Sequence, residues 1–83
     1  MDLKFSVIVP VYNRPQEVDE LLESLTKQGF QDSFEVLIVE DGSENSSEEI
    51  VKKYTSQLNL NYFYKENSGA GASRNYGMQR ASV

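Results

Sequence analysis

The chain has 83 residues, 39% hydrophobic and 25% charged, with a net charge of −5 and neither cysteine nor histidine. That length suits one small domain. The composition excludes disulfides, thiolate chemistry, Cys/His zinc sites and histidine general-base catalysis, and the acidic balance without a basic run speaks against nucleic acid.

The first strand is expected from about Lys4 to Val11. Phe5–Val9 is apolar and largely β-branched, broken only by Ser6, as in a strand buried on both faces of a parallel sheet. Pro10 cannot donate to a ladder, so the run ends there and delivers Tyr12, Asn13 and Arg14 to a loop. In open α/β sheets that C-terminal end is where ligands bind. Pro15 then suits the first turn of a helix whose buried stripe is Val18, Leu21, Leu22 and Leu25, with Gly29 as its stop.

Phe34–Val39 reads as a second, central strand, followed by Glu40-Asp41-Gly42-Ser43. Ser46 and Glu49 have capping-box spacing for a second helix, with Ile50, Val51, Tyr54 and Leu58 on its buried face. Leu60–Lys65 is a third strand, more mixed in polarity and so nearer an edge. A loop over Glu66–Gly71 leads to a third helix from Ala72 to about Ala81, which Gly77 weakens by roughly 1 kcal/mol. The order β-α-β-α-β-α implies a three-layer, Rossmann-like parallel α/β sheet. Right-handed crossovers give strand order 3-2-1. The first strand then lies at an edge although its residues suit a centre, so a further strand is expected after the third helix. Residues 1–83 read as the N-terminal half of a larger domain.

Four stretches could carry chemistry. A dinucleotide fingerprint is missing, because Pro10–Pro15 contains no glycine where that motif needs three, and Gly69-Ala70-Gly71-Ala72-Ser73-Arg74 lacks its third. No Gly-Lys-Ser/Thr occurs, which excludes a P-loop. Glu40-Asp41 ends a strand where an acid can accept from a ribose hydroxyl or base N–H; the alternative is a plain Asp-Gly turn beside a solvated glutamate. Tyr12 could stack on a base and Arg14 could meet an anion. Alternatively, Tyr12 packs on the sheet rim and Asn13 caps the helix. Gly69–Arg74 could bring backbone and a fixed cation to a phosphate at a helix N-terminus, or could serve close helix packing with Arg74 solvated.

Taken together, Ser-Val-Ile-Val-Pro-Val-Tyr-Asn, Leu21-Leu22-x-x-Leu25, Val39-Glu40-Asp41-Gly42-Ser43 and Asn67-x-Gly69-x-x-x-Ser73-Arg74-Asn75-x-Gly77 resemble the start of a family 2 glycosyltransferase. The resemblance covers Phe5 to about Ala81. It implies the GT-A fold and a nucleotide-diphosphate sugar donor, often a UDP-sugar, with a hydroxyl acceptor in cell-surface polysaccharide synthesis. Pro10 and Tyr12 match the loop against the base, and Arg14 a basic residue near the nucleotide. Asp41 matches the acid that hydrogen-bonds base or ribose, and Arg74 the arginine near the phosphates. Glu40 replaces the more usual aspartate, and its longer side chain is expected to point elsewhere. Ser73 replaces the usual alanine, an exchange expected to be harmless.

The resemblance also implies Mg²⁺ or Mn²⁺ in the complete enzyme, held by an Asp-x-Asp segment that lies beyond these residues, as does the catalytic base. No catalytic or metal-ligating residue is therefore assigned here, and the 83 residues alone are expected to be inactive. A cytoplasmic location is expected, at the inner face of the membrane for the full enzyme, since no apolar run approaches the ~20 residues a spanning helix needs. The expected partners are the sugar donor and a glycan or lipid-linked acceptor. Two other readings stand beside this one: a non-catalytic nucleotide-binding module, and a truncated domain that self-associates through the exposed edge of its first strand.

Overall fold

The computed structural model describes residues 5–27 and 34–81. Its elements alternate: β1 (Phe5–Val11), α1 (Pro15–Thr26), β2 (Phe34–Asp41), α2 (Glu48–Tyr54), β3 (Leu60–Lys65) and α3 (Ala70–Arg80). The strands form one parallel sheet in the order β1-β2-β3, with Phe5 opposite Phe34 and Asp41 opposite Lys65. This is the expected 3-2-1 order. Lys4 and Gly29, the expected first strand residue and helix stop, lie outside the described residues.

β2 is the central strand, and every one of its eight residues is buried. Successive side chains in a strand point to opposite faces. Phe34, Val36 and Ile38 join Val18 and Leu22 of α1, Val51 of α2, Val11 and Leu58 in one core cluster. Side chains like these contribute roughly 1.5–3 kcal/mol each on full burial. The other face is covered by α3, whose Gly77 packs beside Ile8 and Val39.

Several boundaries differ from expectation. β1 lies at the expected edge, and Ser6–Pro10, whose run suits a strand enclosed on both faces, are only half-buried because β2 is the sole strand neighbour of β1 among the described residues. β2 runs two residues further, to Asp41, since Glu40 and Asp41 both find partners inside the fold. Leu58 is buried but lies past the end of α2. α3 starts at Ala70, so part of the expected glycine loop is already helix.

No helix among the described residues is long and apolar enough to cross a membrane.

Candidate functional site

The C-terminal ends of the three strands meet on one edge of the sheet, and three loops close over it. Period-two alternation sends the neighbouring acids Glu40 and Asp41 to opposite faces. Each then organises the start of a different helix.

Glu40 goes to the α2 side and is fully buried. Its Oε1 accepts from the Ser47 backbone N–H at 2.8 Å, the Ser47 hydroxyl at 2.7 Å and the Tyr62 hydroxyl at 3.1 Å. Its Oε2 accepts from the Ser43 hydroxyl. The glutamate is thus neither solvated nor in the site; it is the anchor of the β2–α2 loop. Burial, with the nearby Glu40 carboxylate adding to it, pushes the Tyr62 phenol up to about 12. The expected capping box does not form: Ser46 Oγ accepts from the Glu48 N–H and pairs with the Tyr62 hydroxyl, and α2 begins after Ser47.

Asp41 goes to the α3 side and is 4% exposed. Its Oδ1 accepts from Lys65 Nζ at 2.9 Å and the Ser68 N–H at 2.8 Å; its Oδ2 accepts from the Gly69 N–H at 2.8 Å. The Lys65 hydrogen bond, helped by those two backbone donors and opposed by burial, holds its carboxyl below the usual carboxylate range. Gly42 follows in the left-handed region at φ 70°, with the Asn67 backbone so close that a Cβ would lie 2.8 Å from the Asn67 nitrogen. A side chain at position 42 would push the two loops apart.

Asn13 is the strut between the first two loops. Its Oδ1 accepts from the Glu44 and Asn45 N–H groups at 2.8 and 3.0 Å, and its own N–H donates to Ser43 Oγ at 2.7 Å. It does not cap α1, where Arg14 occupies the cap position without a side-chain capping bond to the helix backbone. Asn13 adopts φ 52°, a conformation asparagine tolerates better than most residues.

Between these loops lies a pocket of about 180 Å³ lined by Pro10, Val11, Tyr12, Arg14 and Asp41. Four of the five residues singled out from sequence therefore share one cavity. Tyr12 is 52% exposed, which leaves a ring face open for stacking. Arg14 is exposed and pairs with Glu17 at 2.9 Å. Arg74 is not brought in: Ser73 faces the sheet, and the next residue on the helix is turned out to solvent. Lys65 had no role in the sequence reading, and Asn13 had only that of a helix cap where the structure makes it a bridge between loops. Both Asp41 and Lys65 end their strands, and pairing those strand ends in a parallel sheet would have revealed the lysine.

The chain is a Rossmann-like parallel α/β half-sheet that carries an aromatic, a cation and a held carboxylate at its strand ends. Residues 6–83 match Glycosyl transferase family 2, and the chain belongs to that family. It is 44% identical over 82 residues to the poly(ribitol-phosphate) beta-N-acetylglucosaminyltransferase TarS of Staphylococcus aureus, covering 95% of this chain and 14% of TarS. It is 38% identical over 81 residues to the minor teichoic acid biosynthesis protein GgaB of Bacillus subtilis, covering 93% of this chain and 9% of GgaB. Among solved structures, S. aureus TarS 1-349 in complex with UDP-GlcNAc superposes with a TM-score of 0.90 at 44% identity, over 96% of this chain and 24% of that one. The chain thus spans well under a third of these relatives, and its fold is that of GT-A glycosyltransferases.

Proposed function

We propose that residues 1–83 form the nucleotide-binding part of a glycosyltransferase that moves a sugar from a UDP-sugar to a hydroxyl acceptor. The observation that carries this is the strand-end pocket uniting Pro10, Tyr12, Arg14 and Asp41. The similarity to a transferase structure that holds UDP-GlcNAc supports the choice of nucleotide. In this reading Tyr12 stacks on the base, Pro10 shapes the wall, and Asp41 accepts from a base N–H or ribose hydroxyl. Arg14 faces the anionic side of the donor, and Arg74, which is exposed and lies outside the pocket lining, takes no part in this reading. The acceptor is a hydroxyl of a cell-surface polymer, in keeping with the relatives named for poly(ribitol-phosphate) and teichoic acid. A cytoplasmic location, at the inner face of the membrane for the full enzyme, goes with this reading.

Among the described residues no group of three or more His, Cys, Asp or Glu could hold a metal ion. These residues do not fit the Mg²⁺ or Mn²⁺ expected of the complete transferase, whose ligands would lie elsewhere. What this part does is bind and orient.

Amide chemical-shift mapping with UDP tests the reading. Saturable shifts confined to residues 10–14, 41–43 and 65–69 are expected. Shifts scattered over α1 and α2, or none at millimolar UDP, would sink it.

A further inference from the structure

Lys65 is charged yet its side chain is only 15% exposed. An ammonium carries three N–H donors and no acceptor. All three have acceptors here: Asp41 Oδ1 at 2.9 Å, the Glu66 carbonyl at 2.8 Å and the Ser68 hydroxyl. One cation thus ties the end of β2 to the end of β3 and to the first residues of the β3–α3 loop. Such a group cannot rotate without breaking several bonds at once.

The consequence falls on Asp41. An ionised carboxylate offers about four acceptor positions. On Oδ1, Lys65 and Ser68 occupy both; on Oδ2, Gly69 occupies one. A single position is left, on Oδ2, and the residue lines the pocket with Tyr12 and Arg14. We propose that Lys65 is a positioning residue that fixes the rotation of the Asp41 carboxylate, so that Oδ2 alone is presented to a donor N–H or O–H of a bound nucleoside diphosphate. This rests on the nucleotide reading above and assigns to β3 a part in recognition. Lys65 touches the ligand only through Asp41.

A double-substitution cycle read by UDP titration tests it, using calorimetry on the unsubstituted protein, Lys65→Met, Asp41→Asn and the pair together. Lys65→Met is expected to weaken UDP binding about tenfold in the unsubstituted background and less than twofold once Asp41 is Asn. It should also move the Asp41 carboxyl ¹³C resonance in the ligand-free protein, while Lys65→Arg restores most of both effects. Lys65→Gln, which leaves Asp41 a neutral N–H donor in place of the ammonium, takes the place of Lys65→Met in the cycle if the latter folds poorly. Equal weakening in both backgrounds, or saturation by UDP unaffected by Lys65→Met, would overturn the proposal and leave the nucleotide reading standing. No saturation by the unsubstituted protein would overturn the nucleotide reading and this one with it.

Discussion

At the scale of single residues, the adjacent acids show how far type and spacing carry. The sequence marked Asp41 as an acceptor and Glu40 as turned away, and the structure puts them on opposite faces of β2. It did not show that Glu40 is buried among Ser43, Ser47 and Tyr62, because nothing in the local pattern separates a buried glutamate from a solvated one. Asp41 has a pH consequence. Its carboxyl lies lower in the folded chain than in the unfolded one, chiefly through the Lys65 hydrogen bond. Its stabilising effect is therefore fully present above the unfolded value of about 3.9 and is lost as pH falls through the folded value. Urea unfolding at pH 7 and pH 3 should show a smaller acid loss in Asp41→Asn than in the parent; an unchanged difference would refute this. Ser73 gives the opposite case. Its hydroxyl is fully buried and has no hydrogen-bond partner among the described residues, so a serine in place of the family's alanine carries a cost. Ser73→Ala should raise stability by about 1 kcal/mol, seen as a higher urea midpoint.

At the scale of elements, α3 explains a residue that looked like a weakness. Gly77 is a poor helix former by ~1 kcal/mol. A Cβ there would sit 2.6 Å from Ile8 Cγ2 and 3.3 Å from Val39 Cγ2, and the first is a branched methyl that cannot swing aside. The helix gives up propensity to lie close against β1 and β2. Gly77→Ala should therefore destabilise by about 1–3 kcal/mol despite the better helix former, and a urea midpoint at or above the parent's would contradict that. The strands were legible because their apolar runs are long for such a short chain. The element ends were not: Ser46 had the spacing of a cap, but Glu40 reaches across from the sheet to take the Ser47 N–H instead. Tertiary partners decided both. A further tie joins α1 to α2, where the Tyr54 hydroxyl donates to the Asp19 carboxylate and Lys53 pairs with it at 3.3 Å. That bond pushes the Tyr54 phenol up to about 12.

At the scale of the molecule, β1 has a strand on one side only among the described residues. A pocket of about 210 Å³ runs beside it, lined by Val9, Pro10, Val11, Arg14, Glu17, Val18 and Leu21. An apolar, half-buried edge invites pairing with another chain. Sedimentation velocity should show a concentration-dependent shift toward dimer, and a clean monomer across the accessible range would count against edge pairing. The chain spans 14% of TarS, and the proposed role of these residues is to bind and orient the donor. The 83 residues should transfer no sugar from a radiolabelled UDP-sugar; turnover would refute the division of labour proposed here. In the proposed reading, the pocket at the ends of β1 and β2 is enough to recognise the nucleotide. UDP titration by calorimetry, with Asp41→Ala alongside and thermal unfolding to check that both are folded, tests it most directly. Saturable binding that weakens at least tenfold in Asp41→Ala is expected, the scale of a lost hydrogen bond to a charged group. Affinity within twofold of the parent in that variant, or no binding by the parent at millimolar UDP, would contradict it.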